Sequence, residues 1–215
     1  MRVAKLACLL TLFAGLAAAA CDTPAPDPVV SIPLPDHPFG VVPSTDGCWL
    51  FVSLPTGSIS VLHRDNGRVE IARTQRIEGR PTGIVLTHDG KTLIVGETLA
   101  GALTAFEIAP DGTLRNRRLW ASTWPRVPDG IALNADGNIW IANPLAPECV
   151  LLEEGGRVLD VIATDQLCYA CMLGGDDGQT LFICTAPTSL PPEPGAPPQG
   201  KILTAHVEVP HAGLP

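Results

Sequence analysis

Four stretches of this chain share one frame, and that repetition constrains the fold more than any other feature. Their openings are Pro38-Phe39-Gly40, Pro81-Thr82-Gly83, Pro128-Asp129-Gly130 and, with altered residues, Tyr169-Ala170-Cys171. Six residues past the third position of each comes an Asp-Gly pair: Asp46-Gly47, Asp89-Gly90, Asp136-Gly137 and Asp177-Gly178. Short apolar runs follow, Leu50-Phe51-Val52, Leu93-Ile94-Val95, Trp140-Ile141-Ala142 and Leu181-Phe182-Ile183. The Asp-Gly pairs lie 43, 47 and 41 residues apart.

Asp-Gly between two apolar runs predicts a hairpin, because such turns need positive φ and both residues tolerate it. A third run follows in every unit (Ile59 to Leu62, Leu103 to Ile108, Val150 to Leu152, Ile202 to Val207). A fourth closes the first three (Val69 to Ile77, Leu114 to Trp120, Val158 to Ala163). Four strands per unit at a period in the low forties describe a propeller blade. The expectation is therefore an all-β chain, a β-propeller of four four-stranded blades. The last unit lacks a closing strand, and Val29 to Leu34 is a spare one. Either that N-terminal strand pairs with Ile202 to Val207 and closes the ring, or the chain is an open arc of a larger propeller. Each Pro-x-Gly motif falls at the upper end of a blade's first strand. The Pro187 to Gly200 insert falls at the same end, as a solvated loop or a cap over the channel.

Residues 1–20 read as a signal peptide: Arg2 and Lys5, an apolar run from Leu6 to Leu16, then small residues up to Ala20. Cys21 follows them as a bacterial lipidation site would, and simple cleavage after Ala20 is the alternative. Residues 21–36 then comprise a lipidated cysteine, a Pro-rich tether and the closing strand, with the propeller over 37–215. The expected location is exported, periplasmic or membrane-anchored through a lipid on Cys21. Removing the signal leaves 12 basic and 22 acidic residues, a net charge of −10, which argues against nucleic acid or an anionic membrane surface as partner. Cys48, Cys149, Cys168, Cys171 and Cys184 are odd in number and irregularly spaced, so they do not read as a disulfide framework. Cys168-Tyr169-Ala170-Cys171 has CxxC spacing without a second pair, which favours thiols packed on a buried strand over zinc or redox chemistry.

From Thr92 onward particular segments resemble the SMP-30/gluconolactonase/luciferin-regenerating-enzyme family. They are Leu93-Ile94-Val95-Gly96-Glu97-Thr98, Leu103-Thr104-Ala105-Phe106, Asn116-Arg117-Arg118, Pro128-Asp129-Gly130-Ile131-Ala132-Leu133, Cys171-Met172-Leu173-Gly174-Gly175 and Gly200-Lys201-Ile202-Leu203. Residues 37–91 are more similar to propellers with YVTN-like, lactonase-type repeats. The resemblance implies a propeller with a divalent cation, usually calcium, at the top of its channel, and hydrolysis of sugar lactones or related esters. Carried over by motif, it makes Asp129 the metal ligand and catalytic base, with Thr82 standing where an Asn ligand is expected. Phe39, Glu97 and Asn143 are further channel-mouth positions. For Glu97 and Asn143 the favoured reading is polar residues at strand ends, with channel-mouth ligands as the alternative. One carboxylate implies weak cation binding, because calcium takes six to eight oxygens. Two functions follow: a metal-assisted lactone or ester hydrolase acting on a small lactone or sugar-like ligand, or a non-catalytic binding or scaffold propeller of the cell envelope.

Overall fold

The computed structural model describes residues 32–65, 68–77, 79–190, 195 and 197–213. The signal peptide, Cys21, the tether, Val29 to Ser31 and part of the Pro-rich insert lie outside the described residues. No helix among the described residues is long and apolar enough to cross a membrane.

The fifteen strands follow the repeat. Blade 1 is β1 (Gly40–Pro43), β2 (Trp49–Leu54), β3 (Ser58–Asp65) and β4 (Arg68–Arg76). Blade 2 is β5 (Pro81–Leu86), β6 (Thr92–Glu97), β7 (Ala102–Ile108) and β8 (Leu114–Ser122). Blade 3 is β9 (Ile131–Leu133), β10 (Ile139–Asn143), β11 (Glu148–Leu152) and β12 (Val158–Ala163). Blade 4 has three strands among the described residues, β13 (Leu167–Gly174), β14 (Thr180–Ala186) and β15 (Lys201–His206). Every sheet is an antiparallel meander, as in a propeller.

The Asp-Gly turns work by a division of labour that the hairpin expectation did not separate. Only the glycine is left-handed, at φ 72°, 69°, 82° and 73° for Gly47, Gly90, Gly137 and Gly178. The aspartate stays at negative φ, and in three blades its carboxylate accepts the N–H two residues on: Cys48 to Asp46 (2.9 Å), Lys91 to Asp89 (3.1 Å), Gln179 to Asp177 (2.9 Å). In blade 3 the side chain of Asn134 takes that part, accepting from the Asn138 N–H at 2.8 Å.

The Pro-x-Gly glycines serve close approach between blades. A Cβ on Gly40 would lie 2.9 Å from the Thr82 carbonyl oxygen, and one on Gly83 2.6 Å from that of Asp129. One on Gly130 would lie 2.6 Å from the Ala170 Cα. Each motif's glycine is thus roofed by the middle residue of the next motif. Blade 4 is followed by no further blade among the described residues, so Cys171 can occupy its glycine position.

Strand alternation sends successive side chains to opposite faces of a blade. In blade 2, Leu93 and Val95 pack with Phe51, Ile59 and Val61 of blade 1. Ile94 faces Ile131, Ile139 and Ile141 of blade 3. Blade 3 in turn packs Trp140 and Ala142 against Leu173, Leu181 and Ile183 of blade 4. The series stops there. Phe182 and Cys184 on β14 point away from blade 3 and are exposed, as are Met172 (53%) and Ile202 (71%) beside them. Extensive strand contacts join blade 1 to 2, 2 to 3 and 3 to 4, and none of that extent joins 4 to 1. Among the described residues the four blades therefore form an arc with one bare end.

The other end is covered. Ile32 and Leu34 pack on Val52, Leu54 and Leu62, the face of blade 1 turned away from blade 2. They form no strand with β15, so the described part of the proposed closing strand does not close the ring. Pro33 lacks the N–H a ladder needs, and its apolar neighbours gain burial on blade 1 instead. At the lower end the segment Pro210–Gly213 passes beneath three blades rather than forming a strand in blade 4. Pro210 accepts the Ala135 N–H (2.8 Å), His211 donates to Gly178 (3.1 Å) and Ala212 to Leu133 (3.2 Å). The Ala212 carbonyl lies 2.7 Å from His88 Nδ1. A cavity of 240 Å³ above this strap is lined by β1, β5, β9 and β13.

Candidate functional site

The upper ends of the same four strands open into a larger cavity of 840 Å³. The Pro-x-Gly middle residues Phe39, Thr82, Asp129 and Ala170 all line it, one from each blade. Leu99 and Leu145, from the loops after β6 and β10, supply apolar rim, and Ser189 of the Pro-rich insert reaches the edge. The frame of the repeat alone brings these positions together.

Asp129 is the only carboxylate on the cavity wall among the described residues. Its main chain is fixed on both sides: its N–H donates to Ala142 (3.0 Å), and the next N–H, of Gly130, donates to Tyr169 (2.9 Å). Its carboxylate receives no hydrogen bond among the described residues. Burial without such a partner disfavours the charged form. It pushes the pKa up to about 6, against a smaller lowering from the positive charge of Arg80.

Arg80, the residue before Pro81, was not singled out from the sequence. Its guanidinium lies 5.5 Å from the centroid of the Phe39 ring, a cation–π stack at the rim. Phe39 is thereby a platform for Arg80 as well as apolar wall. A lone Arg in a loop carries no motif. The available signal was its place directly before a Pro-x-Gly triplet, where blade 1 has His37 and blade 3 has Val127.

Thr82 lines the cavity, but its hydroxyl is engaged with the neighbouring blade. Oγ1 lies 2.9 Å from Thr98 Oγ1, 3.1 Å from the Asp129 carbonyl and 3.2 Å from that of Gly96. Thr98 Oγ1 donates to the Pro128 carbonyl at 2.7 Å. The two hydroxyls clamp the Pro128–Asp129 backbone to blade 2 and so aim Asp129.

Glu97 and Asn143, read from sequence as channel-mouth candidates, do not line the cavity. Both are buried. Glu97 pairs with Arg117 at 3.1 Å and sits under the turn at Gly79. Asn143 donates to Glu148 (2.9 Å), which also accepts from Arg126 (2.8 Å), and its own oxygen accepts the Leu145 N–H (3.2 Å). These are polar strand ends satisfied within their own blades.

A resident calcium ion does not fit the residues present. No set of three His, Cys, Asp or Glu among the described residues has the arrangement of a metal site. Among the described residues the mouth offers one carboxylate, a committed hydroxyl and a guanidinium, where calcium takes six to eight oxygens.

The model of the SMP-30/Gluconolactonase/LRE-like region matches residues 43–187. It covers blade 1 from the end of β1, where the sequence read as more similar to YVTN-like repeats, and the resembling motifs from Leu93 to Gly175, while Gly200-Lys201-Ile202-Leu203 lies beyond it. Among solved structures, a gluconolactonase from Xanthomonas campestris superposes with a TM-score of 0.55 at 24% identity, over 68% of this chain and 53% of that one. Regucalcin of Agrobacterium tumefaciens strain C58, a calcium-binding protein, gives 0.57 at 18% identity, over 82% and 60%. A luciferin-regenerating enzyme gives 0.51 at 12% identity, over 85% and 80%. At these identities the likeness establishes the fold. The chain spans between about half and four-fifths of the length of these structures.

Proposed function

The chain belongs to the SMP-30/gluconolactonase/LRE-like family, and from that premise we propose that it hydrolyses a small lactone or related ester, with Asp129 as general base. The observation that carries the reading is the Asp129 carboxylate itself: unpaired, raised to about 6, and set in a cavity to which all four blades contribute. A base of that pKa is mostly deprotonated at neutral pH, yet holds a proton well enough to take one from water.

The apolar rim of Leu99 and Leu145 holds the carbon skeleton of the substrate. Asp129 accepts a proton from water as the water oxygen bonds to the carbonyl carbon. The negative charge gathering on the carbonyl oxygen is stabilised by Arg80, which the Phe39 ring keeps at the rim. As the intermediate collapses, the ring C–O bond breaks and the leaving oxygen takes the proton back from Asp129. The product is a hydroxy acid, which releases its acidic proton to solvent, and the resulting carboxylate is repelled by the regenerated Asp129. No step passes through a metal.

Turnover of a panel of five- and six-membered lactones by the wild type and Asp129→Asn tests this. Activity should fall at least a hundredfold in the variant, and equal activity in both would sink the assignment. A single carboxylate facing a single guanidinium also suits a second reading, a module that binds such ligands without turning them over. Its mark would be ligand binding by calorimetry in a wild type that hydrolyses nothing. The location proposed with this function is outside the cytoplasm, supported by the charged start, apolar run and Cys21 of the first residues.

A further inference from the structure

Three thiols gather between blades 3 and 4. Cys149 on β11 and Cys168 on β13 are fully buried, Cys171 on β13 is nearly so, and all three are free. Cysteines three apart on a regular strand point to opposite faces. Here the register of β13 on β14 slips between Cys168 and Ala170, and that bulge turns both thiols toward blade 3. Strands β11 and β13 approach within 8 Å between Cα atoms. Cys149, Cys168 and Cys171 belong to one buried cluster between the two blades. Cys171 is also directed at two backbone carbonyls, those of Gly130 and Trp140, each 3.6 Å away. Cys168 has the Thr164 hydroxyl at 3.2 Å. The trio lacks the arrangement of a metal site, so the chemistry open to each thiol is with another thiol.

We propose that Cys149 and Cys168 are a cross-linking site, forming a disulfide in an oxidising environment that fastens blade 4 to blade 3. Among the described residues, the pair spans the one interface that holds blade 4, whose other face is exposed. The bond closes a loop of roughly 20 residues, long enough for a useful restriction of the unfolded chain. The oxidant is a small-molecule or protein disulfide. Cys149 Sγ displaces one thiolate from it, giving a mixed disulfide, and Cys168 Sγ then displaces the second. Each cysteine loses its proton, and two electrons pass to the oxidant. The hydrogen bond with Cys149 and then burial push the Cys168 thiol far above its ordinary range. Cys149 is raised as well: its bond with Cys168 pulls the other way, and the bond with Cys171, burial and Glu148 outweigh it. Thiolate is therefore scarce in the folded protein, and the bond forms during folding, before blade 4 closes on blade 3.

The test is to unfold and reduce the full chain, refold it in reduced and oxidised glutathione, quench with N-ethylmaleimide and map non-reduced peptides by mass spectrometry. The expected result is a Cys149–Cys168 peptide lighter by two hydrogens, absent from Cys149→Ser and kept in Cys171→Ser. Cys48 is disulfide-bonded as well, so reductant should lower the melting temperature of both proteins, and that of the wild type by several degrees more than that of Cys149→Ser. Folded, reduced protein in the same buffer should link far more slowly. Native refolded wild type in which Cys149 and Cys168 are both alkylated, or in which Cys149 is joined to Cys171, would overturn the proposal; that result needs no variant to fold.

Discussion

Replacing Asp129 with Asn should stabilise the protein at neutral pH. The folded-state pKa of about 6 lies above the ordinary value of 3.8, so the native state holds this proton more tightly than the unfolded chain does. Sign follows from that order. Below pH 4 the carboxyl is protonated in both states and costs nothing. As pH rises from 4 to 6 the unfolded chain ionises first, and native stability is lost. Above 6 the full cost persists. A shift of about 2 units corresponds to about 3 kcal/mol at 1.36 kcal/mol per unit. The carboxylate opens to a solvated cavity, which screens its charge, so about 1–2 kcal/mol is the expected net gain for Asn. Urea unfolding of both proteins in a metal chelator at pH 4, 5, 6 and 8 measures it. The two curves should converge at the acid end and separate through pH 5 to 6. A wild type more stable than the variant at pH 8 would refute the argument, because Asp129 would then have a compensating partner.

The remaining expectations concern the rest of the mouth, the bare end of the arc and the first residues. Arg80→Met removes the charge that lowers the Asp129 pKa, so the midpoint of that carboxyl, followed by NMR, should move above 6; an unchanged midpoint would remove Arg80 from the site. On β14, Leu181→Ala should cost about 2–5 kcal/mol in unfolding experiments, whereas the adjacent Phe182→Ser, on the exposed face, should cost under about 1 kcal/mol. A large loss from Phe182→Ser would mean that face is covered in solution. Fatty-acid labelling in a bacterial host should tag the wild type and spare Cys21→Ser, and equal labelling of both would end the lipid-anchor proposal.

The strands were legible because the repeat fixes their frame four times over, and because apolar runs separated by Asp-Gly carry their own turn chemistry. The same physics hid what the fourth blade faces. Leu181-Phe182-Ile183 on β14 reads like Leu93-Ile94-Val95 on β6, yet β6 lies between two blades and β14 has one neighbour. An apolar run records that a residue tolerates burial, not that a partner exists. Asp129, Thr82 and Phe39 reach the cavity because a repeat position maps to a place in space. Glu97 and Asn143 sit at strand ends, where one residue's rotation decides between channel and blade interior, and partners on other strands of the same blade (Arg117, 20 residues on, and Glu148, 5 residues on) made that choice. Arg80 and the bulge that gathers Cys168 with Cys171 depend on distances across the fold, which no local pattern encodes.

The proposed role of Asp129 as a base inside the four-blade mouth is tested most directly by the pH dependence of kcat/KM for lactone hydrolysis, measured in chelator. The account predicts a rate that rises with pH through a single ionisation near 6 and levels off above it, with Arg80→Met moving the ionisation upward and Asp129→Asn abolishing it along with the activity. A profile with no ionisation between pH 5 and 7, or the same profile surviving in Asp129→Asn, would contradict it.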